Sequence, residues 1–184
     1  MRWWRCAVRV TVLQGSPNTD GSTALLVDEF CRGARAAGHA VRVLNVAEMG
    51  ISPCLGCVAC GYEGPCVQDD DMDVVRPEIL ASDAIVFATP LYYYGMTSQL
   101  KTVIDRFGSS NSSITNKGLR SVLIAVAWNA DSWTFDALEA HYETLVRYLH
   151  LKDCGRLLGY GCGTPAMTKR SRFMKEAYAF GQSL

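Results

Sequence analysis

Four of the eight cysteines fall between positions 54 and 66, in the run Pro53-Cys54-Leu55-Gly56-Cys57-Val58-Ala59-Cys60-Gly61-Tyr62-Glu63-Gly64-Pro65-Cys66. The spacing is C-x2-C-x2-C-x5-C. Three thiolates at that pitch can wrap one face of a cubane iron-sulfur cluster, and Cys66, reached through a glycine-rich return, can close it. Zinc is an alternative occupant, although crowded two-residue spacings suit paired knuckles less well. A reversible disulfide and plain free thiols are further readings, because two residues between cysteines is also a redox-active spacing. A reducing compartment and ample apolar residues favour metal or redox chemistry over structural disulfides. The remaining cysteines are Cys6, Cys31, Cys154 and Cys162; the last three are expected to pack as small apolar side chains.

Two other segments carry binding chemistry. Gly15-Ser16-Pro17-Asn18-Thr19-Asp20-Gly21-Ser22-Thr23 lies between a β-branched run and a helical pattern. Helix N-terminal amides, with the side chains of Ser16, Ser22 and Thr23, suit a phosphate monoester there. No Gly-Lys-Ser or Gly-Lys-Thr occurs and no G-x-G-x-x-G spacing is present, which removes the main support for nucleotide hydrolysis and for dinucleotide binding in this loop. An ordinary turn with hydroxyl helix caps is the plainer reading. The second segment, Thr89-Pro90-Leu91-Tyr92-Tyr93-Tyr94-Gly95-Met96, sets three aromatic rings between a rigid proline and a permissive glycine. Such a loop offers walls for the faces of a flat ligand and backbone N–H groups for its edge. Aromatic core packing or a subunit contact would explain the same tyrosines.

These loops need a scaffold, and the chain alternates between strand and helix patterns. Strands are expected over residues 7–13, 40–44, 83–88, 119–127 and 157–160. Helices are expected through Leu25 to Ala34, Val74 to Leu80, residues 98–107, 135–150 and 169–181, with residues 108–117 polar and turn-like. Alternation of this kind implies parallel strands with right-handed crossovers. The fold class is therefore α/β, a doubly wound five-stranded parallel sheet with helices on both faces, and the order 2-1-3-4-5 is the one expected of it. In that order the switch point lies beside strands one and three, where both ligand loops emerge. The whole of residues 1–184 reads as one domain with a cysteine-rich loop at 51–71.

Other polar residues are read as structural. Asp69, Asp70 and Asp71 precede a helix, where carboxylates oppose its dipole. His39, His141 and His150 follow no ligand spacing and are placed at the surface or at helix ends. Lys101 and Asp105, four apart on a helix, suit a surface ion pair. Trp3 and Trp4 are candidates to cover a sheet edge or a partner subunit. Eighteen basic and eighteen acidic residues give a formal net charge of zero, so neither nucleic acid nor an anionic membrane finds an electrostatic footprint. No apolar run reaches bilayer length, the basic start lacks a small-residue cleavage site, and a cytoplasmic location is expected.

Gly15-Ser16-Pro17 with Gly21-Ser22-Thr23, then Thr89-Pro90-Leu91-Tyr92 with Gly95-Met96 and Gln99-Leu100-Lys101, ending in Asp105-Arg106, resemble the flavodoxin-like NAD(P)H-dependent FMN reductases. The cysteine spacing resembles that of the iron-sulfur flavoproteins, an offshoot carrying a 4Fe-4S cluster near the flavin. What the resemblance implies is non-covalent FMN, its phosphate on Ser16, Asn18, Ser22 and Thr23, and its ring framed by Pro90, Leu91, Tyr92, Tyr93, Tyr94 and Gly95. A third family loop falls at Trp128, Asn129 and Ala130. By the same resemblance Cys54, Cys57, Cys60 and Cys66 would hold the cluster. The implied activity moves electrons from NAD(P)H, which shares the flavin cleft, to a quinone, flavin or iron-sulfur acceptor, in a homodimer or homotetramer. Two other classes stand beside it: a non-enzymatic carrier working with ferredoxin, and a redox-sensing binding module built on the cysteines.

Overall fold

The computed structural model describes residues 7–184; Trp3, Trp4 and Cys6 lie outside the described residues. Five parallel strands, β1 (Arg9–Gln14), β2 (Ala40–Leu44), β3 (Ala84–Pro90), β4 (Arg120–Val126) and β5 (Lys152–Gly159), form one sheet in the order β2-β1-β3-β4-β5. The expected order is the observed one. Among the described residues five α-helices connect them, α1 (Ser22–Ala36), α2 (Met72–Ala81), α3 (Ser98–Asp105), α4 (Asn111–Thr115) and α5 (Asp136–Tyr148), and two follow β5, α6 (Pro165–Arg170) and α7 (Phe173–Ser183).

Strand residues alternate between two cores, as the pleat requires. Ile85, Phe87, Leu123 and Ala125 pack against Val75 and Ile79 of α2, Leu100 and Val103 of α3, and Leu138 and Tyr142 of α5. On the other face Val10, Val12, Val86, Ala88, Val122 and Ile124 meet Leu26, Val27 and Phe30 of α1 and Phe173 and Ala177 of α7. Strands β1, β3 and β4, buried on both faces, read as near-continuous apolar runs for that reason. The α1–α7 contact is intimate. A Cβ on Gly181 would stand 2.0 Å from the Phe30 carbonyl oxygen, and one on Gly33 2.0 Å from that of Tyr178.

Several expectations are corrected. Residues 108–117 are largely helical, a 3-10 segment (Arg106–Ser110) followed by α4. Strand β5 begins at Lys152, well before residue 157, and the single C-terminal helix is two helices broken at Ser171 and Arg172. His39 is buried, with its Nδ1 accepting the Val8 N–H at 3.3 Å, so a surface position does not hold for it. Cys154 is exposed, whereas Cys31 and Cys162 are buried; the Cys31 thiol is pushed up to about 11, chiefly by burial. Lys101 and Asp105 form the expected surface pair at 2.6 Å. Among the described residues no helix is long and apolar enough to cross a membrane.

Candidate functional site

Loop one leaves β1 at a point that only glycine tolerates. Gly15 donates its N–H to Ala88 O at 2.8 Å, and a Cβ there would lie 2.5 Å from Leu100 Cβ. Thr97, fully buried, bolts this loop to the second: its Oγ1 donates to Gly15 O at 2.7 Å and accepts from the Leu100 N–H, while its own N–H donates to Thr89 Oγ1 at 3.0 Å. As the N-cap of α3, Thr97 thus does three jobs with two groups. Sequence reasoning missed it; its place three residues before Leu100 in a helical pattern was the available signal.

Further along, Ser16 Oγ accepts the Asn18 N–H and donates to Asn18 O, and Asn18 Oδ1 accepts the Asp20 N–H at 3.2 Å. These two side chains fold the loop upon itself. Ser22 and Thr23, at the start of α1, differ. Both are more than nine-tenths buried, and neither hydroxyl has a partner among the described residues. A buried hydroxyl without a hydrogen bond is costly, and both line a hollow of about 210 Å³ shared with Ser16, Asn18, Gly21, Pro90, Tyr92, Trp128 and Gly163. That hollow is a cradle for an oxygen-rich group at the positive end of a helix.

Loop two is a tight turn. Tyr92 N–H donates to Gly95 O and Gly95 N–H to Tyr92 O at 3.0 and 3.1 Å, which puts Tyr93 and Tyr94 at φ 46° and 63°. Two tyrosines in left-handed conformation carry strain that Asn-Gly would avoid. The turn leaves the Tyr93 ring fully exposed and brings Tyr94 against Trp133, ring centroids 5.1 Å apart. With Leu91, Ala127, Asn129 and Thr134 these tyrosines line a second hollow of about 260 Å³. Thr134 Oγ1 is also buried there without a partner among the described residues.

Alternation of the pleat divides the tips of β3 and β4 between the two hollows: Pro90, Tyr92, Val126 and Trp128 face the first, Leu91, Ala127 and Asn129 the second. The residues expected to frame a ring are therefore split, with Pro90 and Tyr92 on the side of Ser22 and Thr23 and Gly95 closing the turn. One elongated ligand lying over the strand tips would place an anionic end by Ser22 and Thr23 and a flat end among the aromatics. The residues present fit FMN on that count.

The cysteine loop is built differently. Cys54 and Cys57 are exposed, Cys60 and Cys66 partly so, and among the described residues no three Cys, His, Asp or Glu side chains converge as a metal site. In this arrangement the four thiols are not gathered around one point. The order in this segment lies at its neck. Asp70, expected to serve only the helix dipole, binds the buried Arg106 guanidinium with both oxygens at 2.6 and 3.2 Å and accepts the Ser52 and Met72 N–H groups. Arg106 also donates to Ser52 O at 2.8 Å. Burial opposes ionisation of Asp70, but these hydrogen bonds outweigh it and hold the carboxyl below its usual range. The Gln68 N–H and the Arg106 charge lower the Cys66 thiol in the same way.

Fold and site together define a flavodoxin-like α/β protein whose first loop carries buried, unpartnered hydroxyls at the head of α1. The chain belongs to the NADPH-dependent FMN reductase family, whose model matches residues 8–156. It is similar to an iron-sulfur flavoprotein of Archaeoglobus fulgidus, 36% identical over 104 residues, covering 56% of this chain and 47% of the relative. It is also similar to one from Methanocaldococcus jannaschii, 33% identical over 99 residues, covering 54% of this chain and 51% of that one. The chain thus spans about half the length of these curated relatives. A solved NAD(P)H:quinone oxidoreductase from Methanothermobacter marburgensis superposes with a TM-score of 0.79 at 16% identity, over 97% of this chain and 96% of that one, which shows the shared fold.

Proposed function

We propose that this chain binds FMN and moves electrons from NAD(P)H to a quinone, flavin or iron-sulfur acceptor. The observation that carries the reading is the pair of adjoining hollows, with buried unpartnered hydroxyls on Ser22 and Thr23 at one end and the rings of Tyr93 and Tyr94 at the other. When bound, FMN supplies an acceptor that takes a hydride from nicotinamide and returns electrons singly or in pairs. The chain's own residues bind and orient. Ser22 and Thr23 donate to the phosphate, and the first turn of α1 adds N–H groups and a favourable dipole. Ser16 and Asn18 keep the loop folded around it. Leu91, Tyr94 and Ala127 exclude water from the flat end, Asn129 and Thr134 offer polar contacts to its edge, and Tyr92 separates the two ends. In this reading NAD(P)H and the acceptor take turns at the flat end. The exposed rings of Tyr93 and Trp133 support a homo-oligomeric assembly around that mouth.

The cysteine spacing and the relatives' names support a 4Fe-4S cluster on Cys54, Cys57, Cys60 and Cys66. No electron path is drawn through it. Iron and acid-labile sulfide in anaerobically prepared protein, set against a C57S variant, test that part alone.

An anaerobic visible spectrum of the protein loaded with FMN, followed by NADPH, tests the function. Uptake of the flavin and bleaching of its bands by NADPH are expected. Bleaching by dithionite but not by either nicotinamide would replace the reductase with a carrier serving a protein such as ferredoxin. Failure to take up FMN would remove the flavin reading altogether.

A further inference from the structure

The phosphate-side hollow has a wall that the family comparison does not reach. Trp128 leaves the tip of β4, and its indole lies against Gly163 in the turn at residues 161–165, after β5 and beyond the residues that the family model matches. The contact is close. A Cβ on Gly163 would stand 2.3 Å from Trp128 Cε3 and 2.6 Å from Cδ2, so only glycine leaves room for the ring. The face of the indole away from Gly163 is open, the side chain being 67% exposed. Its Nε1–H, on the edge opposite the atoms that meet Gly163, donates to no group among the described residues. Cys162, Gly163 and Pro165 continue the wall towards Ser22 and Thr23. Four loops therefore surround one small hollow: the first holds the anion, the second contributes Pro90 and Tyr92, and the loops after β4 and β5 close the far side.

We propose that Trp128, seated on Gly163, is a specificity-determining residue that makes this hollow accept a terminal phosphate monoester and reject a phosphate bearing a further substituent. The inference rests on the flavin reading above. A monoester ends where Ser22 and Thr23 meet it. A diphosphate carrying adenosine has to continue outward past the indole. The ring cannot withdraw towards residues 161–165, because Gly163 already touches it. Trp128 thus selects FMN over FAD by steric exclusion, while Ser22 and Thr23 select FMN over riboflavin by hydrogen bonding.

The test measures dissociation constants of FMN, FAD and riboflavin by flavin fluorescence for the wild type, W128A, W128F and G163A, with each fold checked by circular dichroism. G163A leaves the Ser22 and Thr23 hydroxyls in place and acts by displacing the ring. In the wild type FMN is expected to bind about 100-fold more tightly than FAD, a ratio of the size that pocket shape supplies. W128A and G163A are expected to bring that ratio below about 10 while the FMN-to-riboflavin ratio changes less than about 3-fold, and W128F to keep most of the discrimination. Should W128A fail to fold, G163A and W128F decide. Equal affinity for FMN and FAD in the wild type, or an unchanged ratio in a folded G163A, overturns the inference and leaves the flavin reading intact. Absence of any flavin binding by the wild type is the failure of the reading beneath it.

Discussion

Two hydroxyls define the candidate site most sharply at the level of single residues. Ser22 and Thr23 are buried at the head of α1 without partners, an arrangement that costs stability in the free protein and gains it when a ligand arrives. Removing both, as in S22A/T23V, is expected to weaken FMN binding by about 10- to 100-fold, the loss of one or two hydrogen bonds to a charged acceptor. The same variant should melt at or slightly above the wild-type temperature. Unchanged FMN affinity would assign these side chains to the helix rather than to the ligand. Tyr93 presents the opposite case, a fully exposed ring held at positive φ. Y93N, which tolerates that backbone, should gain about 1 kcal/mol in urea unfolding. A loss of stability would mean that the ring contributes more than the strain costs.

Between elements, the Arg106–Asp70 pair joins the neck of the cysteine loop to the 3-10 segment after α3. Both side chains are buried, so R106L, which strands a carboxylate, is expected to cost about 3 kcal/mol. Asp70 also sets an acid limit. Its folded-state carboxyl lies below the unfolded value of about 3.9, so its contribution is complete above that value and is lost as pH falls through the lower folded one. Stability of the wild type should therefore decline more steeply below about pH 4 than that of D70N, read from urea midpoints between pH 2 and 6. Parallel declines would remove Asp70 from the account. Here the sequence was only half informative. The acidic run before α2 was plain, but its partner lies 36 residues away and no local pattern announces it. Residues 108–117 look turn-like from their Ser, Asn and Gly content. They become helical because Ser109 and Ser110 are buried and because Asn111 and Ser113 are held by Tyr62 and Glu63 of the cysteine loop.

For the molecule as a whole, periodicity and turn chemistry carried the strand pattern and the position of the loops after β1 and β3, since β1, β3 and β4 are buried on two faces and bounded by Gly, Pro and Asn. The edge strand β5 was half hidden. Its first residues, Lys152, Asp153 and Cys154, face solvent and carry no apolar signal. Likewise the seat of Trp128 on Gly163 joins residues 35 apart, a proximity set only by the pairing of β4 with β5. The C-terminal pair α6 and α7 closes one face of the sheet through a glycine contact with α1 that admits no side chain. G181V should lower the melting temperature by several degrees, roughly 2–4 °C per kcal/mol at this size. Because α1 also presents Ser22 and Thr23, FMN should restore part of that loss. Full stability in G181V would show that the two helices can slide apart without cost.

The clasp made by Ser52, Asp70 and Arg106 makes the cysteine segment a cassette with a closed base. A protease that nicks the chain between Cys54 and Cys66 should leave two fragments that run as one particle on gel filtration at neutral pH and separate on a denaturing gel. The sheet spans both fragments, and the clasp holds the cut ends beside each other. Evolution can lengthen, shorten or refurnish such a cassette while the ligand loops on the neighbouring strands stay where they are.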